Sequence, residues 1–538
     1  MNNHDVDAAW QYHNSTKHSS QSVHSSRHYL DWRNEPLLFK IYPKLDAIPL
    51  PRRVPQTGIA ALSAISTIPG EAESASVPDL NALALLLHLS GGVTKQKRFA
   101  GGETFFFRAA ACTGALYEFE LYLVCGNLPG LDAGVYHFGV KDFGLRRLHQ
   151  GDFRGVLADA TGNEPAIVHA PLVMVCAGTY WRNAWKYQAR TYRHFGWDNG
   201  TIVANLLAMC AALHLPAKVV MGFVDDEVNR LLDLDTQREV AFSMIAVGWT
   251  PEPAPPASEV QPLGLETVPL SGKEVDYPAI REMHAASSLV SADEVRTWRG
   301  RTPVKPVPAA SGRIARLEPL GDREIRLDGA EQVILRRGST RQFAREPITL
   351  QQLATLLDRA TRGVPADFLD PAGTQLNDLY LIVNAVEGLS PGAYFFRREE
   401  GSLELLKEGD FREQASYLGL EQELPGDASV AVFFLADLRP ILERFGNRGY
   451  RAVQLEAGIL GGKLYLGAYA QHLGATGLTF FDDDVINFFS PHAAGKSAIF
   501  LTAVGKSARR IAFLSPNRGT ALRQKVRCKW SWMPGTES

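Results

Sequence analysis

The sequence predicts an α+β protein built by tandem duplication, two copies of one domain within a single chain. Three observations carry that reading. First, residues 120–229 align with 378–487 at one constant offset of 258, without a gap. Leu121-Tyr122 falls on Leu379-Tyr380, and Gly134, Tyr136 and Phe138 fall on Gly392, Tyr394 and Phe396. Gly151-Asp152-Phe153-Arg154 falls on Gly409-Asp410-Phe411-Arg412. Arg190, Tyr192-Arg193 and Gly200 fall on Arg448, Tyr450-Arg451 and Gly458, and the register is read on through Asp225-Asp226 over Asp483-Asp484. Second, each copy has a short apolar run of buried-strand type, LVMVCAG at 172–178 and VAVFFLA at 430–436. Third, each has a long helical stretch, 198–215 with Asp198 or Asn199 as N-cap, and 454–473. A period this long is a duplicated domain and not a solenoid. Fusing two such domains makes the covalent counterpart of a two-fold dimer, an intramolecular pseudo-dimer.

Taken in order, residues 1–55 form a polar extension rich in His and Ser, and 56–250 form the first copy. A bridge, 251–328, opens with the Pro-rich PEPAPPASEVQPLG; the second copy follows at 329–510 and a tail at 511–538. His4, His13, His18, His24 and His28 are too irregularly spaced to share one face, so no metal is expected from them. The five cysteines show neither paired nor metal-like spacing, which suits a reducing compartment. A net charge of -2 argues against nucleic acid or an anionic membrane as the main partner. The start MNNHDVDAAWQYH lacks a basic region followed by an apolar run, and no stretch reaches the roughly 18 apolar residues of a membrane span. The expectation is a cytoplasmic protein.

The first chemical signal is Arg336-Arg337-Gly338-Ser339-Thr340-Arg341-Gln342-Phe343, read as standing ahead of the helical stretch PITLQQLATLLDRA. Guanidinium forks and a hydroxyl beside a helix N-terminus suit a phosphate; alone, such a run reads more readily as a solvated basic turn. The pattern R-R-x-S-x-R-x-F resembles the FMN-phosphate motif of the nitroreductase fold, and Val504-Gly505-Lys506-Ser507-Ala508-Arg509-Arg510 resembles that family's second basic element. In the first copy, residues 108–122, RAAACTGALYEFELY, resemble the flavin-ring loop of the SagB/ThcOx dehydrogenase branch, with Cys112 where Ser is usual and Glu118 where Pro is usual. Trp185-Lys186-Tyr187-Gln188-Ala189-Arg190-Thr191-Tyr192-Arg193 resembles the same branch's W-K-Y-x-x-R-x-Y-R stretch, whose Lys-Tyr pair is catalytic in azoline oxidases. The leader, YHNSTKHS and HYLDWRNEPLLFKIYP, is similar as well.

That resemblance implies tandem nitroreductase-like domains and one composite site. The second copy has Arg444-Phe445 in place of Lys186-Tyr187, and Asp370 and Ala372 in place of Cys112 and Gly114. The first copy has no R-x-S-x-R ahead of its first helix and no basic pair after Val247-Gly248. One FMN per chain is therefore expected. Arg337, Ser339, Arg341, Lys506 and Arg509 are assigned to its phosphate, Arg108, Cys112, Thr113, Gly114 and Ala115 to its ring, and Lys186 and Tyr187 to catalysis. The implied reaction is a two-electron oxidation of a peptide or small biosynthetic intermediate. FMN takes the hydride, the Lys186 ammonium lowers the Tyr187 pKa for proton transfer, and other biosynthetic enzymes are expected as partners. Two alternatives stand beside it, an NAD(P)H-dependent nitro or quinone reductase and a flavin-free vestigial scaffold.

Overall fold

Each copy is organised by two apolar segments that have no polar face to give to water. The strand runs are buried along their whole length, Leu172–Thr179 and Val430–Ala436. A strand of that kind must be covered on both faces, and each lies inside a seven-stranded sheet. In the structure, a computed structural model that describes residues 2–68, 74–98, 104–303, 307–325 and 327–508, the two sheets have the same order. In the first copy it is 48–49, 144–150, 134–139, 119–125, 172–179, 239–247, 217–220; in the second it is 314–316, 402–408, 392–397, 377–383, 430–436, 497–505, 474–478. All pairings within these two sheets are antiparallel. The strand predicted at 430–436 is found unchanged, and the other gains one residue.

The two long helices, Thr191–Ala212 and Arg448–Ala470, are buried almost all round, as expected of helices enclosed by protein. They start earlier than expected. Asp198 and Asn199 are not caps but interior residues, because their side chains are used elsewhere. Asp198 accepts the Thr113 N–H and hydroxyl, each at 2.9 Å, and Asn199 accepts the Ser243 hydroxyl at 2.6 Å. The helices cross where Gly200 meets its own equivalent, Gly458: a Cβ on Gly200 would lie 2.4 Å from the Gly458 carbonyl carbon. Contact between equivalent residues is the mark of an isologous interface.

Strand pairing corrects the repeat register. Leu172 pairs with Val247 but Val430 pairs with Val504, so the offset falls from 258 to 257 beyond the strand at 217–220. The next helices begin at Asp225 and Asp482. Asp225 is thus equivalent to Asp482 and not to Asp483. Each carboxylate takes two arginines from the other copy, at 2.6 and 2.8 Å from Arg448 and Arg451 and at 3.0 and 2.6 Å from Arg190 and Arg193. All six side chains are buried, and the exchange ties the copies together from both sides.

The extension and the bridge also correspond. Helix Asp7–Ser15 and helix Pro278–Ala286 each hold a histidine, and His13 bonds the Tyr450 hydroxyl as His284 bonds the Tyr192 hydroxyl, at 3.2 and 3.1 Å. The Thr16 and Ser287 carbonyls accept Arg190 and Arg448 in parallel fashion. Ile48–Pro49 and Ile314–Arg316 add matching edge strands. No helix among the described residues is long and apolar enough to cross a membrane.

Candidate functional site

A cavity of about 820 Å³ opens where the first copy, the second copy and the N-terminal extension meet, within the roughly 300–1,000 Å³ usual for a cofactor or ligand site. The first copy contributes Cys112, Thr113 and Gly114, then Lys186, Tyr187, His194 and Asp198. The second contributes Ser339, Arg341, Tyr465 and the strand segment 476–479. The extension supplies a wall running from Ser15 to Trp32. That wall carried no functional expectation, since its role comes from packing: Trp185 Nε1 donates to the Asp31 carbonyl at 3.1 Å and the Tyr12 hydroxyl to the Ala189 carbonyl at 2.5 Å.

The loop at 112–117 is held in an unusual backbone shape. Gly114, Ala115 and Tyr117 have φ of 65°, 57° and 52°, and a Cβ on Gly114 would approach the Tyr187 hydroxyl to 3.0 Å. Only glycine fits there without displacing the tyrosine. Cys112 and Thr113 are tied down to Asp198, and Glu118 to the Cys112 sulfur at 3.3 Å. Ala115 belongs to this loop but does not line the cavity. Arg108 lies behind it, with its guanidinium committed to the Phe119 and Leu38 carbonyls.

The basic residues of the second copy divide. Ser339 and Arg341 line the cavity. Arg337 does not: it is buried and donates to the Ala109 carbonyl at 2.9 Å and the Arg108 carbonyl at 3.2 Å, binding the second copy to the base of the first copy's loop. Lys506 lies 3.5 Å from Glu346, away from the cavity. Arg509 lies outside the described residues. The expected helix does follow the motif, at Leu350–Thr361, but the motif also opens directly on the end of a preceding helix. Arg337 is the C-cap of helix Ala330–Arg336, while the next helix begins at Leu350 behind the Thr349 cap. A helix C-terminus favours cations and offers nothing to an anion, so the helix end at Arg337 gives a phosphate no dipole support.

Electrostatics reverses the expected roles of the pair. Burial and the nearby Arg341 push the Lys186 ammonium down to about 8. The Tyr187 phenol is pushed up by burial and by Asp198, Cys112 and Glu118, which outweigh Arg341. The Lys186 ammonium lies over the face of the Tyr187 ring, 5.4 Å from its centre, and does not activate its hydroxyl. Tyr187 stays protonated, and Lys186 is the group able to lose a proton near neutrality. His194, edge-on to Tyr187 and bonded through Nδ1 to Asn183, is held neutral by burial and surrounding cations.

The equivalent place across the helix crossing is filled by protein. Trp298 from the bridge packs on Phe445 and donates to its carbonyl at 2.9 Å. Arg444 is spent on the Arg299 and Arg301 carbonyls. The Asp367 carboxylate takes the Met221 and Gly222 N–H groups, both at 2.9 Å.

Residues 334–505 match the nitroreductase family profile. The second half carries a nitroreductase-family domain. A provisionally described nitroreductase of Methanocaldococcus jannaschii is 25% identical over 169 residues, 31% of this chain and 80% of the relative. The crystal structure of a provisionally described nitroreductase from Anabaena variabilis superposes with a TM-score of 0.73 over 93% of this chain and 99% of its own, at 24% identity. At that identity the likeness is one of fold, and it spans both copies. The nitroreductase-like fold implied by the sequence is therefore present, and an oxidoreductase is the activity class the family match supports.

Proposed function

We propose that this protein is an FMN-dependent oxidoreductase with one FMN per chain, held between the halves of an intramolecular pseudo-dimer. The observation that carries the reading is the asymmetry of the two equivalent places. One is a cavity lined by both copies, and the other is packed with Trp298, Arg444 and Asp367. The cavity suits a polar ligand. His194 Nε2, the Thr476 and Thr479 hydroxyls and the Arg190 Nη2 are buried with no hydrogen-bond partner among residues that line it, and such groups call for one. Ser339 and Arg341 would hold the phosphate, and the backbone at Gly114 and Gly477 would lie against the ring. When bound, FMN supplies a two-electron acceptor.

The chain's own residues supply orientation and proton transfer. Lys186, with its proton loosely held, serves as proton acceptor; Tyr187 remains a phenol and donates a hydrogen bond; His194 stays neutral. The substrate class is a peptide or small biosynthetic intermediate, in line with a SagB/ThcOx-type dehydrogenase or oxidase acting in the cytoplasm beside other biosynthetic enzymes. A second reading is reduction of a nitro or quinone compound by NAD(P)H, of which the relative's description as a nitroreductase supports the nitro-compound part. Purified full-length chain should release close to one FMN per chain on acid treatment, and a ratio near two would overturn the single-site reading. Anaerobic bleaching of the flavin band by NADPH alone would favour the second reading.

A further inference from the structure

Beneath the 112–117 loop lies a pair of carboxyls that neither reading uses. Glu118 and Asp198 are 0% and 5% exposed, both lie 3.3 Å from the Cys112 sulfur, and one oxygen of each carboxyl lies within 4.8 Å of the other. Two carboxylates buried this close together repel each other strongly, so one of the pair carries a proton. The surrounding donors say which. Asp198 accepts the Thr113 N–H and hydroxyl at 2.9 Å, which favours its anion, whereas Glu118, apart from the Cys112 S–H it shares with Asp198, receives the Asn183 amide at 3.3 Å.

No described side chain supplies a cation for a second charge. Among the described residues neither carboxyl has an ion pair. Arg182 is paired with Glu120 and bonded to the Tyr117 carbonyl, Arg108 donates to the Phe119 and Leu38 carbonyls, and Arg337 to the Ala109 and Arg108 carbonyls; the partnerless Arg182 Nη2 and Arg108 Nε reach neither carboxyl of the pair. The other titratable groups facing the pair are the Tyr117 and Tyr187 phenols and the Cys112 thiol, all held neutral by burial. Cys112 has one S–H, which serves a single carboxyl oxygen at a time, and its sulfur accepts the Tyr117 N–H at 3.0 Å.

We infer that Glu118 is a positioning residue that works as a neutral acid, donating its proton to Asp198 and so holding the 112–117 loop in the left-handed shape that forms one wall of the cavity. The proposal rests on the flavin reading only for what the wall receives; the proton-sharing pair is a property of the protein alone. When Glu118 ionises, two buried anions face each other without compensation, and the Thr113 and Tyr117 anchors give way.

The test uses full-length chain without added flavin and follows peptide-level hydrogen exchange at residues 109–119, corrected for intrinsic rates, from pH 6 to 10. In the wild type, loop protection should fall at least tenfold toward the alkaline end. Glu118→Gln, which keeps a donor toward Asp198 but cannot ionise, should hold its protection flat. Glu118→Ala should be poorly protected at every pH, and should it fail to fold, the Gln comparison decides alone. Coincident wild-type and Glu118→Gln profiles, or an Ala variant as protected as wild type, would overturn the inference. FMN retention, measured separately, judges the flavin reading and leaves this result standing.

Discussion

Lys186 and Tyr187 stand side by side in sequence, yet tertiary surroundings give them opposite characters. Lys186→Ala should leave bound flavin in place while substrate-driven flavin reduction falls about 10²–10⁴-fold, the usual worth of a positioned base. Because Arg341 and burial lower the Lys186 pKa to about 8, the neutral amine becomes populated as pH rises. The rate of flavin reduction should therefore climb through about pH 8, and a profile that falls there would remove Lys186 from the base role. Tyr187→Phe should cost about 0.5–1.5 kcal/mol of barrier, a neutral hydrogen bond, since the phenol does not ionise. The motif around these residues was legible as a pattern. Their protonation was not, because it depends on Asp198, Cys112 and Arg341, which are distant in sequence or belong to the other copy.

At the scale of elements, the crossing of the two long helices is the most demanding contact. A Cβ on Gly200 meets only backbone, the carbonyl carbon and Cα of Gly458 at 2.4 and 2.5 Å, which cannot turn away as a side chain could. Gly200→Ala should destabilise by about 1–3 kcal/mol through overpacking, read as a lowered thermal midpoint with concurrent loss of flavin. Asp482→Asn should cost about 3–5 kcal/mol, the range for breaking a buried ion pair, because it strands Arg190 and Arg193. Those arginines hold the Asp482 carboxyl below its usual range. Its contribution is therefore present above the ordinary aspartate pKa and lost as pH falls through the depressed one. Strands 172–179 and 430–436 were readable because continuous apolar runs have few other solutions. The helix starts were misplaced because Asp198 and Asn199 have good capping chemistry, which the fold spends on Thr113 and Ser243.

At the scale of the molecule, the site exists only where the copies join. Halves separated within the bridge, 251–328, should each fail to retain FMN and should regain it when mixed; flavin held by either half alone would refute the composite site. The extension belongs to this prediction as well, since His13, Thr16 and Asp31 accept or share bonds with Tyr450, Arg190 and Trp185. Nothing in residues 1–55 announced that role. Its match to the bridge survives in backbone carbonyls and a single histidine, His13 against His284, and carbonyls leave no trace in side-chain identity.

The sequence by itself determined the duplication, the α+β class, the strand runs and the region of the Lys186-Tyr187 pair, because these follow from local apolar pattern and from residues kept at a fixed offset. Tertiary structure decided which basic residues reach the cavity: Arg337 and Lys506 have the right chemistry but are spent on the Ala109 and Arg108 carbonyls and on Glu346, while Ser339 and Arg341 face inward. It also decided that the second place is filled, since Trp298 and Asp367 come from segments whose direction no local pattern encodes. Spacing along a chain can set a face or a period, but whether a side chain is free to meet a ligand depends on which partners folding brings to it first.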